Sequence, residues 1–218
     1  MIRAVLFDLD GTLFDRDPAV RALIETQYAA FEPELAGAAR EQFVGRLLEL
    51  DAHGFGEKKE AAYQRVVAEF ALPEALASKL IADFWARYHL FSRPFPDAVD
   101  TLVKLRSLGK KTALVTNGRE AIQNATIDAL GIRSLLDAIL ISEAEGVRKP
   151  DRAIFERCAA RLGVALSDCC HVGDHPEADV AGARSAGLQA IWKRVSYWPA
   201  PSEPVPQIGA LAEVIDHV

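Results

Sequence analysis

The chain has 218 residues, of which 50% are hydrophobic and 26% charged, with a formal charge of −6. That balance suits one core-forming domain or a domain carrying an insertion and excludes a disordered chain, and with no basic cluster to follow a phosphate backbone it argues against a nucleic-acid polymer as partner. Cys158, Cys169 and Cys170 fit neither a zinc pattern nor a disulfide framework, no apolar run reaches membrane-spanning length and no leader-like segment precedes the first strand, so a soluble cytoplasmic protein without a membrane partner is expected.

The first element is the run Val5-Leu6-Phe7-Asp8-Leu9-Asp10-Gly11-Thr12-Leu13. An apolar run ending in a glycine turn predicts a buried parallel strand over Arg3–Leu9, and ligands of open α/β sheets bind just past the carboxyl ends of such strands. Side chains alternate along a strand, so Asp8 and Asp10 share a face wherever the extended geometry reaches Asp10. Two carboxylates so placed repel each other unless a cation lies between them. A magnesium ion completed by substrate phosphate oxygens is the simplest such cation. A capping turn, with Asp10 and Thr12 bonded to nearby amides, is the alternative reading.

From Phe14 to about Phe95 the pattern is helical and far longer than one crossover requires, which predicts an inserted helical cap over residues 15–94. Helices are expected over Pro18–Phe31, Ala36–Leu50, Lys58–Phe70 and Glu74–His89, broken at Glu32-Pro33-Glu34, Asp51–Glu57 and Leu72-Pro73. Leu47, Leu48 and Leu50, and Tyr63, Val66, Val67 and Phe70, have the spacing of buried stripes. A bundle inserted beside the first strand has a physical use in closing over the crevice and excluding water. The loop Asp51–Lys59 breaks two of its helices, and His53, Lys58 and Lys59 are candidate substrate-specificity residues there; a solvated connection is the competing reading.

After residue 95, helical stretches end at Gly109, Gly131, Gly163 and Gly187, each followed by a short apolar run. Strands are expected over Lys111–Val115, Ala138–Ile141, Cys169–Val172 and Gln189–Trp192. With the first strand they alternate with helices, which implies an α/β fold: a Rossmann-like parallel sheet core formed by residues 1–14 and 95–218. Pro199–Pro206 reads as an irregular connection and Ile208–Val218 as a short strand or turn followed by a helix.

Three further clusters follow strands. Thr116-Asn117-Gly118 puts a hydroxyl, an amide side chain and backbone N–H groups at a helix start, an anion site or an ordinary cap. Lys149 lies in Arg148-Lys149-Pro150-Asp151, and Gly173-Asp174-His175-Pro176-Glu177-Ala178-Asp179 adds two acids. A parallel sheet brings all four clusters to one edge. Together they supply a carboxylate nucleophile, a second carboxylate, a hydroxyl with amides, a lysine and metal-binding acids, the parts needed for phosphoryl transfer through an aspartyl-phosphate.

In these four motifs the chain resembles the haloacid dehalogenase superfamily, in its phosphatase branch with a helical cap inserted after the first strand. The resemblance implies that Asp8 attacks phosphorus and holds Mg2+, and that Asp10 protonates the leaving oxygen and then activates water while its carbonyl binds the metal. It implies that Thr116, the amides of Asn117 and Gly118, and Lys149 hold the phosphoryl group, that Asp174 completes the metal ligands and that Asp179 orients Lys149 or a metal-bound water. His175 is read as a loop residue, since histidine has no place in a hard-oxygen site. The implied activity is magnesium-dependent hydrolysis of a small phosphorylated metabolite. A dehalogenase is disfavoured because a departing halide needs no acid at Asp10. A phosphomutase on the same core stays open, whereas the cap and the Asp8/Asp10 pair oppose a phospho-acceptor signalling or binding domain.

Overall fold

A computed structural model describes residues 1–218, and the chain divides into two compact units, Met1–Asp15 with Arg93–Val218, and Arg16–Ser92. The N-terminal apolar run forms β1 (Ala4–Phe7), every residue of it buried. It is followed by β2 (Lys111–Thr116), β3 (Ala138–Ile141), β4 (Cys169–Gly173), β5 (Gln189–Lys193) and the short β6 (Gln207–Ile208). The strand order is β3-β2-β1-β4-β5-β6, with every pairing parallel. A sheet covered on both faces needs near-continuous apolar strands, which is what the sequence provides. The core on one side collects Leu6, Val115, Leu140, Phe155 and Trp192.

β1 is central, with Phe7 in register with Leu114 of β2 and Val172 of β4. It is shorter than the expected Arg3–Leu9. The Leu9 carbonyl accepts the amides of Thr12, Leu13 and Phe14 at 3.3, 2.9 and 3.3 Å, which turns the chain, while Asp8 N–H keeps a ladder bond to the Val172 carbonyl at 2.9 Å. At the other end of the chain Leu211–His217 winds as a 3₁₀ helix where an ordinary helix is expected.

The unit Arg16–Ser92 is entirely helical: α1 (Arg16–Ala30), α2 (Glu32–Leu35), α3 (Arg40–Asp51), α4 (Lys59–Glu69) and α5 (Ala75–Phe91). The expected break at Glu32-Pro33-Glu34 is instead the single turn α2, because Pro33 stands in its first turn, where a missing N–H costs nothing. Leu47, Leu50, Tyr63, Val66 and Val67 are buried, with Tyr63 edge-on to Phe84 at 6.0 Å between ring centres. In the sheet unit, α6 (Ala98–Ser107), α7 (Glu120–Ala129), α8 (Ser142–Glu145), α9 (Arg152–Leu162) and α10 (Gly182–Ala186) connect the strands.

Candidate active site

Parallel pairing brings the ends of β2, β1 and β4 side by side, so Thr116, Asp8 and Asp174 come from neighbouring strand ends. Lys149, in the loop before α9, reaches the same edge. Its ammonium donates to Asp8 Oδ1 and to Asp179 Oδ1, both at 2.6 Å, and all three groups are buried. Asp179 receives two further bonds, from His171 Nε2 to Oδ1 at 3.0 Å and from His175 N–H to Oδ2 at 3.0 Å. It folds back tightly onto the end of β4. A Cβ at Gly173 would lie 2.3 Å from its carboxyl carbon, so this position tolerates no side chain.

The charges of this cluster follow from the donor count. Burial works against ionising Asp179, but Lys149 and His171 outweigh it and hold the carboxyl well below the usual range. Burial likewise works against the Lys149 ammonium, and the Asp179 and Asp8 carboxylates overcome it and raise its pKa to about 12. The surplus negative charge falls on the other two acids. Burial, with Asp179 and Asp174 adding to it, pushes Asp8 well up despite Lys149. Burial and then Asp179 carry Asp174 up to about 7.

Asp8, Asp174 and Asp179 can each offer an oxygen within 4.8 Å of the others. Three buried carboxylates against one ammonium, with no nitrogen or sulfur donor required, fit a hard divalent cation such as Mg2+. Asp174 is held by Thr12 and by aromatic residues of β5 and the segment that follows it. Trp198 Nε1 donates to its Oδ2 at 3.1 Å, Tyr197 hydroxyl to the same oxygen at 3.3 Å, Trp192 Nε1 to its carbonyl at 2.7 Å, and Thr12 hydroxyl to Oδ1 at 3.3 Å. His175 caps the stretch Pro176–Ala181, its Nδ1 accepting the Glu177 and Ala178 amides at 3.1 and 3.0 Å. Its ring is spent on backbone structure.

On the β2 side the second acid of the first motif is tied to the hydroxyl of the second. Gln123 Nε2, in the first turns of α7, donates to Asp10 Oδ2 at 2.8 Å and to Thr116 Oγ1 at 2.7 Å. Asn117 braces the lysine loop through reciprocal bonds, its Nδ2 donating to the Lys149 carbonyl at 3.0 Å and its Oδ1 accepting Lys149 N–H at 2.9 Å. The Gly118 amide, expected to face a phosphoryl group, is instead bonded to Ser142 Oγ at 3.0 Å. What Gly118 supplies is space: a Cβ there would lie 2.8 Å from Gln123 Cγ.

The three candidates in the helical unit are separate from this cluster in their chemistry. The carboxylate of buried Asp51 receives two bonds from Arg16, at 2.5 and 2.8 Å, another from Lys59, and the Gly54 amide at 3.2 Å. Burial opposes its ionisation, but Arg16 and then Lys59 hold it well below the usual carboxylate range. His53 Nδ1 pairs with Asp17 Oδ2 at 2.5 Å, and Lys58 is exposed at the start of α4. Ala52 and His53 both have left-handed backbone, φ +40° and +58°, so the segment is a tied, strained loop and not a loose connection.

Motif spacing finds Asp8, Asp10, Thr116, Lys149, Asp174 and Asp179, but passes over Gln123, His171, Tyr197, Trp198 and Arg16. His171 leaves a trace in the sequence as the one basic residue within the apolar run Cys169–Val172. Gln123 leaves none, since a glutamine one turn into a helix is ordinarily a solvated one.

A family model described as haloacid dehalogenase-like hydrolase matches residues 2–187. The chain is 34% identical over 204 residues to a glyceraldehyde 3-phosphate phosphatase of Methanopyrus kandleri, covering 88% of this chain and 83% of that protein. It is 32% identical over 201 residues to a ribulose-1,5-bisphosphate 5-phosphatase of Halopiger xanaduensis, covering 88% and 84%. Among solved structures, a 2-haloacid dehalogenase from Pseudomonas syringae pv. Tomato DC3000 is 30% identical with a TM-score of 0.66, covering 99% of this chain and 97% of that one.

Proposed function

Because the chain belongs to the haloacid dehalogenase-like hydrolases, we propose that it is a magnesium-dependent phosphatase acting on a small phosphomonoester through a phosphorylated Asp8. The observation that carries this reading is the second carboxylate, Asp10, joined through Gln123 to the Thr116 hydroxyl beside the nucleophile strand. A departing halide needs no proton, so a dehalogenase has no use for that acid. An alkoxide leaving from phosphorus does.

Asp8 forms the bond to phosphorus while the ester oxygen leaves with a proton from Asp10. Asp10, now a carboxylate, takes a proton from water as that water attacks phosphorus, which frees Asp8 and inorganic phosphate. Lys149, kept protonated by its two carboxylates, and the Thr116 hydroxyl offset charge on the phosphoryl oxygens. Asp179 and Asn117 fix Lys149 from its two ends, the side chain and the backbone. Mg2+ held by Asp8, the Asp10 carbonyl and Asp174 would supply positive charge that keeps Asp8 ionised and neutralises the phosphoryl group.

We assign this chemistry to the unit formed by residues 1–15 and 93–218, and the choice of substrate to the helical unit with its loop Asp51–Lys59, including His53, Lys58 and Lys59. The named activities of the two phosphatase relatives favour sugar phosphates such as glyceraldehyde 3-phosphate and ribulose 1,5-bisphosphate as first substrates to test. Three free, buried cysteines suit a reducing, cytoplasmic setting. No helix is long and apolar enough to cross a membrane. The test is a screen of phosphomonoesters and 2-chloropropionate with added Mg2+. Phosphate release from at least one ester, with no chloride release, is expected; chloride release alone would replace this reading with a dehalogenase.

A further inference from the structure

Gln123 is a buried polar side chain in no motif, yet it touches two of the groups to which the proposed reaction assigns work. Its amide nitrogen donates to Asp10 Oδ2, an oxygen that can accept while the other oxygen of the same carboxyl group carries a proton. That nitrogen has two hydrogens and two acceptors at 2.8 and 2.7 Å, Asp10 Oδ2 and Thr116 Oγ1, both at full hydrogen-bond strength. The side chain lies against the backbone of Gly118, where a Cβ would come within 2.9 Å of its Cδ and Nε2. So the glycine of the second motif, whose amide is spent on Ser142, is what allows this amide to reach across.

We propose that Gln123 is a positioning residue for the phosphatase reaction: one amide group holds the Asp10 carboxyl group at the leaving oxygen and turns the Thr116 hydroxyl so that its proton faces the phosphoryl group. The second half follows from the first contact. A hydroxyl that accepts from Gln123 has its own proton left to donate, and a phosphoryl oxygen beside β2 is the acceptor it would meet. Gln123 takes and gives no proton itself. This inference rests on the acid–base role given to Asp10 above.

The experiment compares Gln123→Leu, Asp10→Asn and the double variant, all with Mg2+, in single-turnover formation of phospho-enzyme from an alkyl phosphate and from p-nitrophenyl phosphate. p-Nitrophenolate leaves without acid help, so loss of a correctly held Asp10 costs the alkyl ester more. Gln123→Leu is expected to slow the alkyl ester about 10-fold more than the nitrophenyl ester, as does Asp10→Asn, and the double variant to show no further bias because both act through one carboxylate. Gln123→Met replaces the leucine variant if its circular dichroism departs from that of the wild type. Equal slowing of both esters by Gln123→Leu beside a biased Asp10→Asn would overturn the role of Gln123 alone, as would biases that multiply in the double variant. An unbiased Asp10→Asn would overturn the acid–base role, and this inference with it.

Discussion

Replacing Asp51 by Ala removes the one carboxylate that Arg16 and Lys59 share within the helical unit. The side chain of Asp51 is 5% exposed, that of Arg16 10% and that of Lys59 12%, so neither cation has ready access to water in its place. At 2.5 Å and an effective dielectric of about 20, the Arg16 contact alone corresponds to roughly 7 kcal/mol of Coulomb attraction, most of it offset by desolvation. Removing one partner of such a buried pair costs about 3–5 kcal/mol. In a protein of this size that lowers Tm by roughly 6–20 °C, and Asp51→Asn, whose amide oxygen still accepts one bond, should lie between. The carboxyl of Asp51 is depressed by folding, so its stabilisation is complete above the unfolded pKa near 4 and is lost as pH falls through that value toward the lower folded one. Thermal unfolding at pH 8, 6 and 3 should therefore show a constant gap between wild type and Asp51→Ala at the two higher values and a smaller gap at pH 3. If the loop also selects substrate, kcat/KM for the preferred metabolite falls about 10-fold more than for p-nitrophenyl phosphate. A variant as stable as wild type at pH 8, or a gap that persists undiminished at pH 3, would refute the reasoning.

Asp8→Asn should retain the fold and lose turnover by at least about 1000-fold, because an amide cannot form the acyl phosphate; a rate within tenfold of wild type, with deamidation excluded by mass spectrometry, would contradict it. Chelation should abolish hydrolysis and Mg2+ restore it, and restoration by Zn2+ alone would count against the oxygen-ligand site. Gly173→Ala should push Asp179 off Lys149, since the new methyl carbon would meet its carboxyl carbon at 2.3 Å, and lower kcat at least about tenfold; steady-state kinetics on a folded variant checks this.

The strand-end clusters were legible because their chemistry is written in consecutive residues. Asp8 and Asp10, Thr116 to Gly118, and Gly173 to Asp179 are each a run following an apolar strand, and parallel order alone gathers them. What joins the runs was not legible, because it depends on contacts across the sheet edge. Gln123 meets Asp10 across 113 positions of sequence, and Trp198 and Tyr197 meet Asp174 from the short stretch just before Pro199, to which the sequence assigns no element. The space that Gly118 leaves for Gln123 was hidden for a related reason. Glycine is compatible with close approach of a ligand or of another side chain, and only the position of Gln123 distinguishes them. In the helical unit, Asp51 to Lys59 reads as a polar loop until Arg16, 35 residues away, is found to neutralise its acid.

The central place of β1 has a bearing on how the protein is made. Its strand is the first to be synthesised, yet its two neighbours begin at Lys111 and Cys169, so Ala4 to Phe7 have no complete seat in the sheet until about residue 173 has been added. At a synthesis rate of about 5–20 residues per second, that leaves an apolar segment waiting for many seconds. The helical segment between them closes on shorter loops and is ready much earlier. The residue that starts the chemistry is thus translated ahead of both strands that flank its own and secured only once they are present.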